Sequence, residues 1–355
     1  MIFDLTQLKI PIVQAPMAGG PSTVELAAAV CGAGGLGFLA AGYRSAEALA
    51  GDIRALRERT PLPFGVNIFA PPGTAAPAEA VSAYARSLAE DARRLGAELG
   101  DGRRDDDGYA AKLQVVAAET VPVVSFTFGC PEPSAIDSLH EAGAAVWVTV
   151  TAPHEARVAE DAGADALIVQ GSEAGGHRAA FDDTADAEEL GLLALLRVIA
   201  RQTRLSLVAT GGIMDGAGVA AALCAGAAAA QLGSALMLTP EAGTSPAHRE
   251  RLAAPAPTRT TRAFSGRRAR GIVNRFMTEH EGDAPAAYPQ VHHLTAPLRA
   301  AARRAGDAEA INLWAGQAHA LAVAEPAGDL VRRIAADAAE VATETARRLA
   351  APPRL

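Results

Sequence analysis

The chain has 355 residues, half of them hydrophobic, with 32 basic against 40 acidic side chains and a formal charge of −8. Such a length can bury one large core, or a barrel with a satellite domain, and the acidic balance excludes the basic face that a nucleic-acid partner needs. No stretch reaches the roughly 18 consecutive apolar residues of a membrane span, and the acid-bearing start "MIFDLTQLKI" does not read as a secretory signal.

Short β-branched runs closed by glycine recur through the first 240 residues. They are "PIVQAPM" (11–17), "GLGFLAA" (35–41), "PFGVNIF" (63–69), "VPVVSFTFG" (121–129), "AAVWVTVT" (144–151), "ADALIVQG" (164–171), "LSLVATGG" (205–212) and "AAAAQLGS" (227–234). Ala-rich segments of helical spacing, such as "STVELAAAVCGAG" and "MDGAGVAAALCAGA", separate most of them. Strands apolar along their whole length and alternating with helices predict a parallel sheet covered on both faces. Eight such units predict an α/β fold, a (β/α)8 TIM barrel over residues 1–240. The fifth unit is the thinnest, because its helix "PHEARVAEDAG" is short.

Two stretches break the rhythm. Residues 70–120 hold "APPGTAAP", an Ala/Glu/Arg helix and the polar loop "GDGRRDDDG", and read as a solvated helical excursion. Residues 241–325 lose the strand pattern and read as a smaller, mostly helical second domain that closes over a substrate; 326–355 read as a last helix returning to the barrel. Arg262, Arg267, Arg268, Arg270 and Arg275 cluster in that second domain. They fit either an attraction for anions or a solvated, salt-bridged surface. The three cysteines, Cys31, Cys130 and Cys224, are odd in number and widely spaced. They fit neither a disulfide framework nor a metal site, and predict buried free thiols in a reducing cytoplasm.

Barrel enzymes work at the C-terminal ends of their strands, where the glycines of this chain concentrate. Gly211 and Gly212 after the seventh strand, with Gly233 and Ser234 after the eighth, offer backbone N–H groups to a phosphate. Ala15, Pro16 and Met17, ending strand one, let a planar ring approach the backbone. Asn67 and Gln170 are neutral amides at strand ends, suited to the edge of such a ring or, equally, to tying down loops. A phosphate cradle beside a flat ring bordered by amides describes flavin mononucleotide (FMN).

"QGSEAGGHR" (170–178) adds the chemistry. His177 stands on a loop beyond a strand end, behind Gly175 and Gly176, where a core histidine is not expected. An ordinary imidazole titrates near 6.5 and serves as base or hydrogen-bond donor around neutrality. Arg178 would point away from its neighbour, and His292 and His293 read as surface or interdomain residues. No metal is expected: there is no HExxH, no CxxC and no carboxylate–histidine pair at ligand spacing.

"QAPMAGG", "SFTFGCP", "QGSEAGGHR", "ATGGIMDG" and "AAAAQLGSALMLTPEA", in that order, resemble the nitronate monooxygenases (2-nitropropane dioxygenases), and "EAGGH" with "APMAGG" most resembles their first class. "SGRRARGIVNRF" and "LWAGQA" extend the likeness past residue 240. The resemblance implies a noncovalent FMN and oxidation of alkyl nitronates, such as propionate 3-nitronate, and of nitroalkanes by O₂ to a carbonyl compound and nitrite. It implies flavin contacts at Asn67, Gln170, Gly175, Gly212, Gln231, Leu232, Gly233 and Ser234. His177 matches the family histidine that deprotonates a nitroalkane or orients the nitronate. Ser234 departs from a common threonine but keeps the hydroxyl. The competing readings are an NADH-dependent reductase of quinones or enoyl thioesters on the same barrel, and a noncatalytic flavin-binding module.

Overall fold

The computed structural model describes residues 2–73, 76–184 and 189–350. The expected tail of 326–355 therefore extends past the described residues at 351–355, as does part of "APPGTAAP" at 74 and 75.

The strands in chain order are β1 (Ile12–Gln14), β2 (Phe38–Ala40), β3 (Gly65–Phe69), β4 (Val123–Thr127), β5 (Ala145–Val150), β6 (Ala166–Gln170), β7 (Gly176–His177), β8 (Ser206–Thr210) and β9 (Ala229–Leu232). All but β7 join one parallel sheet in the order β1-β9-β8-β6-β5-β4-β3-β2. A parallel bridge from Val13 to Leu36 brings its two ends together, with Gln14 N donating to Leu36 O at 2.9 Å and Leu36 N to Ile12 O at 3.0 Å. The result is the (β/α)8 barrel. β3 and β5 are buried at every residue, as strands covered on both faces must be.

Inward positions change character along each strand. Near the N-terminal ends, Val13, Phe38, Val123, Trp147, Ile168 and Val208 form one apolar cluster, plugged from below by Phe3 and Leu5. Trp147 meets the rings of Phe3 and Phe38 at centroid separations of 6.3 and 5.8 Å. Each such side chain stabilises the fold by about 1.5–3 kcal/mol through burial. Further along the same alternation, two residues on from Trp147, Ile168 and Val208 and four on from Val123, the chain places Thr149, Gln170, Thr210 and Thr127, which with Asn67 and Gln231 line a cavity instead. The barrel is thus oily below and polar on top.

The covering helices are α1 (Val24–Ala33), α2 (Ala46–Arg59), α3 (Ala78–Ser87), α4 (Ala89–Leu95), α5 (Tyr109–Ala118), α6 (Pro133–Glu141), α7 (Pro153–Asp161), α8 (Leu192–Ile199) and α9 (Gly216–Cys224). Beyond β9 follow α10 (Pro246–Ala253), β10 (Thr258–Thr261), β11 (Ala269–Ile272), α11 (Arg275–His280), α12 (Gln290–Ala305) and α13 (Ala327–Ala350). α13 packs on α1 and α9, returning to the barrel.

The structure corrects three expectations. The excursion at 70–120 is not simply solvated: Tyr84 and Leu88 are buried against Phe264, Phe276 and Val291, so α3 and α4 share a core with the later segment. Only α5 belongs to the barrel wall, against β3. Residues 241–325 do hold strands, since β11 pairs antiparallel with both β10 and β7. Their arginine-rich sequence hid them, because one face of that ribbon is half exposed. Cys31 is buried, but Cys224 is exposed, so the thiols are free without all being buried.

Candidate active site

A cavity of about 300 Å³ lies over the C-terminal ends of the strands, large enough for a small-molecule site. Ala15, Pro16, Met17, Asn67, Gln170, Gly175, Gly176, His177, Gly211, Gly212, Gln231, Gly233 and Ser234 all line it. Leu232 does not: it is fully buried among Ile12, Leu26 and other residues between the strands and their covering helices. Its share in the site is a carbonyl that accepts from Ala15 N at 2.8 Å.

The amides divide their work. Gln170 ties the loop after β6, donating to His177 O at 3.0 Å and accepting from Ala179 N at 2.9 Å. Asn67 donates to Ser125 Oγ and Thr127 Oγ1, both at 2.9 Å. Gln231 Oε1 is different, being buried with no hydrogen-bond partner among the described residues. A buried acceptor at a cavity wall costs on the order of 1–3 kcal/mol until a donor meets it, which suits the N–H edge of a bound ring. Gly211 and Gly212 have φ of 131° and 67°, turning that loop in a way that L side chains disfavour. Ser234 Oγ accepts from Gly316 N at 2.9 Å and keeps its own proton to donate. Donors and small residues of this kind fit a flavin phosphate and ring.

Two elements fix His177. The residue forms β7, whose register against β11 sets His177 opposite Ala269 and Gly176 opposite Arg270. Its Nε2 lies 2.8 Å from Ser265 Oγ. The rings of Phe128, Tyr288 and Trp314 surround the imidazole at 5.7, 5.9 and 5.5 Å. Burial, with the guanidiniums of Arg267 and Arg299 adding to it, pushes the imidazole pKa down to about 3. His177 is therefore uncharged at neutral pH, with one basic nitrogen.

The arginine cluster was expected on a solvated surface or at an anion. Arg267 is 6% exposed, with its guanidinium 4.1 Å above the ring of Phe128, and it donates to the carbonyls of Arg178 and Ala180. Arg262 and Arg268 pair with Asp183, and Arg275 with Asp91. Arg270 donates to Ser172 O at 3.0 Å. Arg178 turns from the cavity and donates to Gln170 O and Thr151 O.

Sequence reasoning missed Tyr43, Phe128, Ser265, His292, Arg299 and Arg303, all of which line the cavity. His292 stacks on Tyr43 at 4.0 Å. Among the described residues Arg299 bonds only neutral acceptors, Thr295 Oγ1, His292 O and His292 Nδ1, and burial lowers its pKa to about 10. Two arginines and no carboxylate stand among the lining residues. In a chain of net charge −8 that makes the cavity a positive chamber. The described cluster of metal-ligand type, Asp91, Glu279 and His280, lies elsewhere, and Asp91 is already held by Arg94, Arg275 and His280.

The family model described as nitronate monooxygenase matches residues 2–337. A nitronate monooxygenase of Paraburkholderia phytofirmans is 41% identical over 342 residues, covering 94% of this chain and 93% of that protein. One from Pseudomonas aeruginosa is 41% identical over 344 residues, covering 93% and 96%. Among solved structures, a nitroalkane oxidase from Streptomyces ansochromogenes is 52% identical with a TM-score of 0.93, covering 96% of this chain and 99% of that one. FabK from Thermotoga maritima is 29% identical with a TM-score of 0.74, covering 97% and 96%.

Proposed function

This chain belongs to the nitronate monooxygenase family, and from that premise we propose that it binds FMN over the barrel and oxidises nitronates and nitroalkanes with O₂ to carbonyl compounds and nitrite. The observation that carries the reading is His177, set among Phe128, Tyr288 and Trp314 in a chamber whose described lining has two arginines and no carboxylate. Gly211, Gly212, Gly233 and Ser234 would hold the phosphate, Asn67, Gln170 and Gln231 the ring's polar edge, and Ala15, Pro16 and Met17 its face. Bound there, the flavin would supply the electron acceptor that the side chains lack.

The chain's own residues do the rest. The lone pair of His177, a weak base in its buried setting, takes the proton from Cα of a neutral nitroalkane, and the step depends on stabilisation of the anion it forms. Arg299 and Arg303 favour the anion so formed, or a nitronate arriving ready-made, because a positive field counts for more away from water. Phe128, Tyr288 and Trp314 pack around the imidazole and hold its ring in place. Three free thiols suit a reducing cytoplasm.

The test is oxygen uptake with nitrite release from a panel of alkyl nitronates and their nitroalkanes, together with the flavin freed by heat. Turnover with FMN in the supernatant is expected. Tightly bound flavin adenine dinucleotide, or no nitrite from any nitronate, would overturn the assignment.

A further inference from the structure

Ser265 is 2% exposed and sits in the turn joining β10 to β11, the ribbon whose second strand also sets His177. Its Oγ lies 2.8 Å from His177 Nε2 and 3.2 Å from Arg267 O, and accepts from Arg267 N at 3.4 Å. A hydroxyl has one proton to give. Turned toward the imidazole, it would leave the buried Arg267 carbonyl without its donor. Turned toward that carbonyl, it accepts from Nε2–H, and the imidazole N–H, the hydroxyl and the Arg267 carbonyl are all satisfied. Nδ1 has no hydrogen bond among the described residues, so its lone pair stays available.

We propose that Ser265 is a positioning residue that fixes His177 as the Nε2–H tautomer and leaves Nδ1 as the base. The inference rests on the nitro-compound reading, and it decides between the two roles that the family resemblance left to this histidine. With its N–H spent on Ser265, the neutral ring has no donor for a nitronate oxygen. It acts on substrates that must lose a proton, and Ser265 matters for nitroalkanes far more than for preformed nitronates.

The experiment uses flavin-loaded wild type, Ser265→Ala and Ser265→Thr, with ¹⁵N-labelled histidines. The His177 signals, assigned by their loss in His177→Asn, report which ring nitrogen carries hydrogen. Wild type and Ser265→Thr are expected to show Nε2–H, and Ser265→Ala a mixed or reversed tautomer. In step, kcat/KM on a neutral nitroalkane should fall on the order of 10- to 100-fold in Ser265→Ala, below the full worth of a general base. The nitronate should change little, and threonine should restore the nitroalkane rate. An unchanged tautomer in Ser265→Ala, Nδ1–H in the wild type, or equal losses on both substrates would overturn the proposal. Wild type inert toward both substrates would overturn the nitro-compound reading instead, and the NMR arm would still decide whether Ser265 sets the tautomer.

Discussion

His177 shows how surroundings remake a side chain. Its glycine-backed place on a loop was visible in the sequence, but its low pKa was not, since burial, with Arg267 and Arg299 adding to it, comes only through folding. A lowered pKa means protonation begins only as pH falls toward about 3, so the acid limb of kcat/KM on a nitroalkane should lie well below the usual histidine range. A limb near 6.5 would show that the imidazole titrates as though exposed. His177→Asn should keep its flavin yet lose about 10² to 10⁴-fold on the nitroalkane; equal loss on the nitronate would mean charge stabilisation instead of proton transfer. Gly233 tests the cofactor cradle separately. A Cβ there would find Ala15 Cβ at 3.5 Å, an ordinary contact, so Gly233→Val should fold normally but bind flavin weakly. Full flavin occupancy would move the phosphate site elsewhere.

At the scale of elements, the loop after β6 depends on two adjacent glycines for different reasons. A Cβ on Gly175 would lie 2.4 Å from Gly316 N, whereas Gly176 has open space but a φ of 76°. Gly176→Ala should therefore cost only about 1–2 kcal/mol of backbone strain, while Gly175→Ala must push the loop off residues 315 and 316. Urea unfolding and nitroalkane turnover should rank Gly175→Ala as the more damaging change; the reverse order would mean that backbone strain, and not crowding, governs the loop. The buried Lys112 is a second hinge of the site. Its Nζ lies 2.6 Å from Asp107, whose other oxygen accepts from Tyr43 N at 3.0 Å and holds that cavity residue at a φ of 66°. Lys112→Met strands a carboxylate, and should cost about 3–5 kcal/mol by thermal or urea unfolding. The eight barrel strands were legible because each is a short, largely apolar run, and most are closed by glycine. Ser265, Tyr43 and Arg299 were not, because local pattern says nothing about contacts such as that between His177 and Ser265, 88 residues apart. The stripe Val81, Tyr84, Leu88, Leu95 that docks α3 and α4 did have helical spacing; its interruption by charge disguised it.

For the whole molecule, burial makes three histidines refuse protons: His177 near 3, His248 near 4, and His292 driven lower still with Arg299 contributing. The unfolded chain takes those protons near 6.5, so their contribution is complete above that pH and shrinks as pH falls below it. Each tenfold weakening of proton binding on folding is worth about 1.4 kcal/mol, and Tm should drop measurably between pH 6.5 and 4. A Tm that held steady across that window would mean the cavity is wetter than its packing suggests. The fold itself leaves two activities to compare, since family membership points to nitro compounds while a reductase of quinones or enoyl thioesters could use the same barrel. Anaerobic mixing decides between them. The yellow protein should bleach with an alkyl nitronate and keep its colour with NADH; bleaching by NADH, with none by any nitronate, would place the chain among the reductases instead.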